Sequence, residues 1–210
     1  QVLHRHSRLH QSQALLAMMK NTAAHRRNGG FTLIELMVTI ALAAVLMALA
    51  APSFVQYQRN SELTSLTNSL LAAINAAKGE AMKTGRNAFV IPLGTGWNSG
   101  WVVYVDTNRD NAYTEGTDIT VQKQDAVKSY FDITGNSIAA GSSPYIKFDS
   151  TGYSTDTNAA PVALTLSIAR NDTTSASVSE ESRRVVIART GRVRTCKPST
   201  DTTCTSSATN

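Results

Sequence analysis

Histidine is absent after His25, and cysteine occurs only twice, as Cys196 and Cys204 near the C-terminal end. Without a histidine in the last 185 positions, no Ser-His-Asp or Cys-His arrangement can form there, and no histidine can complete a zinc site. No Cys-x2-Cys pattern, phosphate-binding loop or dinucleotide fingerprint is present either. These absences point away from an enzyme and imply no cofactor and no metal. Acidic residues are missing from the first thirty positions, which carry Arg5, Arg8, Lys20, Arg26 and Arg27. The remaining chain holds fifteen basic and fifteen acidic side chains, so the formal charge of +5 says little about partners. In an oxidising compartment the two cysteines are expected to close a short disulfide loop.

What is present begins at Gly29-Gly30-Phe31-Thr32-Leu33-Ile34-Glu35-Leu36. Residues 31–51 are 21 in number and Glu35 is the only charged one. At ~1.5 Å per residue a helix of that length crosses the ~30 Å hydrocarbon core. The cationic flank on its N-terminal side fits a cytoplasmic N-terminus with everything downstream translocated. A secretory signal has a shorter apolar region and an A-x-A-like cleavage site. A plain signal anchor accounts for the length but not for Glu35, because a carboxylate within a bilayer costs about 2.5–3.5 kcal/mol. Such an acid needs a partner or must snorkel to the headgroups.

The run from Gly29-Gly30-Phe31 to Ala51-Pro52-Ser53-Phe54 resembles the class III signal and N-terminal helix of type IV pilins and type II secretion pseudopilins. The resemblance implies cleavage after Gly30 by a prepilin peptidase, N-methylation of Phe31, and a Glu35 that neutralises the α-amino group of a neighbouring subunit during assembly. It also implies that residues 1–30 are a leader. Met18-Met19-Lys20 offers a translation start giving a short basic leader, with residues 1–17 expected to be irrelevant to the product.

Beyond the apolar run, Pro52 is read as a bend in a continuing helix. Leu63, Leu66, Leu70, Ile74 and Ala77 recur at steps of three and four, and Leu71 and Ala81 widen this stripe. Gly85 reads as the stop, so a helix is expected over about 32–84. Short β-rich runs follow at 87–93, 100–106, 118–123, 129–133, 145–149, 162–169 and 184–189, separated by Gly, Asn, Asp, Pro and Ser. The expected fold class is α+β: a long N-terminal transmembrane and amphipathic helix packed on about seven mainly antiparallel strands. The expected segments are a leader over 1–30, a membrane helix over 31–51, an amphipathic helix over 52–85, a β-rich domain over 86–195 and a tail over 196–210. The tail's Ser/Thr-rich composition suggests mobility after Lys197.

Trp97-Asn98-Ser99-Gly100-Trp101-Val102-Val103-Tyr104-Val105-Asp106-Thr107-Asn108 is similar to the GW-V-aromatic-D-x-N segment of GspH/FimT-type minor pilins. Tyr145-Ile146-Lys147-Phe148 with Gly152, and Arg184 through Gly191-Arg192, match later landmarks of that family in the same order. Asp106-Thr107-Asn108-Arg109-Asp110-Asn111 alternates oxygen ligands as a calcium loop does, but Asn111 and Thr117 stand where such a loop needs Gly and Glu. An Asx-rich turn is the expected reading. Trp97 and Trp101 are expected in the core rather than stacking bases.

From Ser182 to Thr200 there are six cations, Arg183, Arg184, Arg189, Arg192, Arg194 and Lys197, and no acid. Strand alternation puts Arg184 opposite Val185 and Ile187, and after a turn at Gly191 it puts Arg192 and Arg194 opposite Val193. Guanidinium groups so spaced suit successive phosphates; on the residues alone a solvated edge strand guarded by charge is the stronger reading. Gly191-Arg192-Val193-Arg194 matches the GRxR motif of FimT-like minor pilins, which is linked to DNA capture in natural transformation. That resemblance implies contacts from Arg192, Arg194 and Gly191 to double-stranded DNA without sequence preference, supported by Arg189, Lys197 and Arg184, with a Cys196–Cys204 bridge tethering the tail. The expected partners are thus other pilins, major and minor, a prepilin peptidase, DNA and the inner membrane, with the product finally on a pilus at the cell surface. The rival is a structural minor pilin priming assembly, or a type II secretion pseudopilin, without DNA contact. A shaft-forming major pilin fits less well, because the cysteines enclose only the polar end of the tail.

Overall fold

A computed structural model describes residues 30–173 and 178–207, and the expected leader therefore lies outside the described residues apart from Gly30. Helix α1 spans Leu33–Thr84 and continues through position 52, so the proline does not end it. It stops where Gly85 takes a left-handed φ of 65° and the N–H groups of Gly85 and Arg86 both bond the Ala81 carbonyl.

Two compact units share this helix, dividing at Ala50/Ala51. In the first, residues 31–50 present nearly every side chain uncovered, Phe31 at 83% exposure. This is one helix long and apolar enough to cross a membrane. In the second unit the stripe read from the sequence is the buried face: Leu63, Leu70, Ile74, Ala77 and Ala81 are fully covered, Leu66 and Leu71 partly.

Eight strands follow among the described residues, one more than the seven or so expected: β1 (Ala88–Pro92), β2 (Trp101–Val105), β3 (Ile119–Gln124), β4 (Phe131–Gly135), β5 (Ile146–Phe148), β6 (Leu164–Arg170), β7 (Ser182–Ile187) and β8 (Val193–Cys196). They form two four-stranded sheets, in the orders β3-β2-β1-β5 and β4-β6-β7-β8, and every pairing is antiparallel. Alternate residues of both sheets join the helix stripe in one core: Val90, Val103, Phe148, Leu166, Ile168, Val185 and Ile187. The two tryptophans belong to it, and Trp97 donates its indole N–H to the Ala139 carbonyl at 2.9 Å. Among the described residues Arg170 is the one arginine whose side chain is fully buried: it meets Asp172, Glu181, Asn60 and Gln56, fastening β6 to α1.

Candidate functional site

The start of α1 explains Glu35 locally. Thr32 Oγ1 accepts the Glu35 N–H at 3.2 Å, and the Glu35 carboxylate accepts from the Thr32 N–H at 3.2 Å and its hydroxyl at 3.1 Å. This is a capping box, in which a Thr and a Glu three residues on satisfy each other's backbone donors. The Thr-x-x-Glu spacing before an apolar run was present in the sequence and went unused. Gly30, by contrast, has no atom of the described residues within 4 Å of where a Cβ would stand.

The basic C-terminal segment is divided by the fold. Arg189, Thr190 and Gly191 form the tip of the 188–192 connection between β7 and β8, closed by Gly191 N–H to Ala188 O at 2.8 Å and Ala188 N–H to Arg192 O at 2.9 Å. Gly191 holds φ at 75°, and a Cβ there would lie 1.8 Å from the Gly152 carbonyl oxygen. Its own carbonyl accepts from Lys78 of α1 at 2.8 Å, and Ser154 donates to the Arg189 carbonyl at 3.2 Å. The loop is thus pinned, with the Arg189 and Arg192 side chains exposed and without hydrogen bonds to other described residues.

The other cations are engaged. Arg184 and Arg194 lie on the face of the second sheet turned away from α1, beside Val186, as the register Val186↔Arg194 requires. The alternation read from the sequence holds. The tail, read as mobile, folds back onto this face. Arg184 bonds the Cys204 carbonyl and Ser167 Oγ, and Asn136 donates to the Ser206 carbonyl at 2.7 Å. Arg194 pairs with Asp201 at 3.2 Å and Lys197 with Glu180 at 2.6 Å. The Cys196–Cys204 disulfide closes the loop, with Cys204 buried. Glu180 is held below the usual carboxylate range by the Lys197 hydrogen bond, and Asp201 by the Thr203 hydrogen bonds and then by Arg194. Reading residues 182–200 alone hid this neutralisation, because the acids lie just outside that window.

The Asp106 loop is a turn. Asp106 accepts the N–H groups of Arg109, Asp110 and Asn111, while Asp118 accepts those of Thr107 and Thr114. Backbone donors occupy these carboxylates, as in Asx turns.

An uncovered apolar helix leading into an amphipathic half that backs two antiparallel sheets is the architecture of a type IV pilin-like subunit. The chain belongs to the GspH family, whose description is "Type II transport protein GspH" and whose profile matches residues 66–191. A second profile, the prokaryotic N-terminal methylation motif, matches residues 25–51. The type IV major pilin protein PilA of Myxococcus xanthus is 38% identical over 60 residues, 29% of this chain; the matched stretch spans only 27% of that protein. The type IV minor pilin FimU of Pseudomonas aeruginosa shares the fold at 18% identity and a TM-score of 0.50, over 68% of this chain and 94% of that one. The minor pseudopilin EpsH of Vibrio cholerae superposes with a TM-score of 0.47 at 16% identity, over 65% and 98%. Members of the family are non-enzymatic structural proteins. The protein is a prepilin anchored in the inner membrane by its N-terminal helix before it enters a pilus or pseudopilus.

Proposed function

We propose that the chain is cut after Gly30 by a prepilin peptidase, N-methylated at Phe31, and built into a filament as a structural minor subunit among other pilins. The uncovered helix over residues 31–50 carries this reading, since its apolar surface needs lipid before assembly and neighbouring helices after it. In the filament Glu35 exchanges part of its capping contact with Thr32 for the α-amino group of a neighbour. Mass spectrometry of the cellular protein should find a chain beginning at methylated Phe31, and Glu35→Ala should enter sheared filaments far less than wild type. An intact leader, or undiminished incorporation of that variant, removes the reading.

A second reading, DNA capture of the FimT-like kind, rests on Arg189 and Arg192 standing exposed at either side of the pinned Gly191 loop. Arg194, Lys197 and Arg184 would add little unless the tail lifts, because each already has a partner. In gel-shift titrations Arg189→Ala/Arg192→Ala should weaken double-stranded DNA binding more than Arg194→Ala does. Equal binding by wild type and the double variant removes the site.

A further inference from the structure

The first sheet carries a second aromatic layer on the face turned away from α1. Phe89 of β1 and Tyr104 of β2 sit opposite each other in register, and their rings stack at 5.2 Å with an 8° interplanar angle. Tyr145 tilts against Phe89 at 6.2 Å and Tyr113 against Tyr104 at 5.1 Å. Together they bound an open cleft of about 430 Å³, between the loop after β2 and the loop before β5. That volume lies within the ordinary range for small-ligand sites.

The walls are held in place. Tyr113 shares a hydrogen bond with Thr120 Oγ1 at 2.8 Å, and Tyr145 accepts the Thr157 N–H at 3.2 Å. The floor is different: Tyr104 is 1% exposed, yet its hydroxyl makes no hydrogen bond to any described residue. Burial, with Asp106 and Asp118 nearby, keeps that phenol protonated well above its usual range, so it offers a donor at any physiological pH. The rim adds the side chains of Asn111, Ser142 and Ser143, exposed and equally without described partners. Among the described residues no charged side chain lines the cleft.

An anion would find no cationic side chain lining the cleft and would meet the field of Asp106 and Asp118 near its Tyr104 floor. A cation would be repelled by the Lys147 ammonium, which lies behind the lining, 5.8 Å from the Phe89 centroid. A proline-rich peptide would use the rings but leave the hydroxyl and amide groups idle. A ligand with an apolar face and a hydroxylated edge uses both sets. We propose that this cleft binds an uncharged sugar ring, stacked on the tyrosine walls and hydrogen-bonded to Tyr104 and the Asn111–Ser142–Ser143 rim.

The test uses the full chain in phosphatidylglycerol nanodiscs, with saturation-transfer NMR and tyrosine-fluorescence titration. The probes are glucose, galactose and N-acetylglucosamine, with tetramethylammonium and a proline-rich peptide for contrast. At least one sugar should receive saturation at its ring C–H protons. Tyr104→Phe, which keeps the ring, should weaken it about 5-fold, and Tyr145→Leu roughly 2- to 10-fold. The exposed-rim variant Ser142→Ala/Ser143→Ala, which leaves the core untouched, should also weaken it, whereas Arg192→Ala should not. Transfer to none of the three sugars overturns the proposal. So does binding undiminished by Tyr145→Leu and by the rim variant, or saturation by tetramethylammonium or the peptide alone.

Discussion

Arginines and glycines in this chain differ in kind according to what surrounds them. Gly191 is required by the fold, because a Cβ would collide with the Gly152 carbonyl and the backbone is left-handed there. Gly191→Ala should therefore cost about 2 kcal/mol or more in thermal or urea unfolding, while Arg192→Ala beside it should stay within about 0.5 kcal/mol. Equal effects would show that the loop relaxes freely. Arg170 is at the other extreme, its side chain fully buried against Asp172 and Glu181. Its hydrogen bond, with that of Arg59, holds the Asp172 carboxyl below its ordinary 3.8. A carboxylate favoured in the folded state contributes fully above about pH 4, and its contribution drains away as pH falls through the lowered value. Asp172→Asn should lose about 3 kcal/mol at pH 7 by leaving the buried arginine under-compensated. Its stability should also fall less between pH 5 and pH 2 than that of wild type, as denaturant midpoints across that range will show.

The tail behaves as an element in its own right. A bridge closing so short a loop restricts the unfolded chain by about 2–3 kcal/mol, and here it also holds Asp201 against Arg194 and the Cys204 carbonyl against Arg184. Cys196→Ser/Cys204→Ser should leave the eight strands intact but make the segment after Lys197 a target for limited proteolysis; resistance equal to wild type would mean the hydrogen bonds alone hold it. Period and punctuation made most elements legible beforehand: the Leu63-to-Ala81 stripe, Gly85 as the stop, and seven strands within two residues of their positions. The eighth was missed because Val193-Arg194-Thr195-Cys196 has a single large apolar side chain, and it becomes a strand only through the backbone pairing that β7 offers. The fold-back of the tail was equally hidden. Ser- and Thr-rich composition reports the lack of a core and cannot report a disulfide loop laid on a sheet whose outer face carries Val186 and Thr165, both buried.

Over the whole molecule, charge is set by pairing and not by count. Fifteen cations face fifteen acids after residue 30, and ion pairs of the C-terminal segment take Arg194 and Lys197 out of the row that the sequence singled out for phosphates, leaving Arg189 and Arg192 exposed. Counterion release makes this measurable, because log K falls with log salt by roughly 0.9 for each phosphate neutralised. If Arg189 and Arg192 alone reach DNA, the slope should lie near −1.8, a value so shallow that binding by one subunit is weak at physiological salt. Removing the bridge with Cys196→Ser/Cys204→Ser frees the tail to lift from Arg184 and Arg194, and the slope should then steepen by about one to two further contacts. A wild-type slope already near −4 would mean that Arg194 and Lys197 abandon Asp201 and Glu180 on binding. A slope near zero in both forms would leave the Gly191 loop as a structural joint between β7, β8 and α1, its two arginines serving to keep an edge strand in solution.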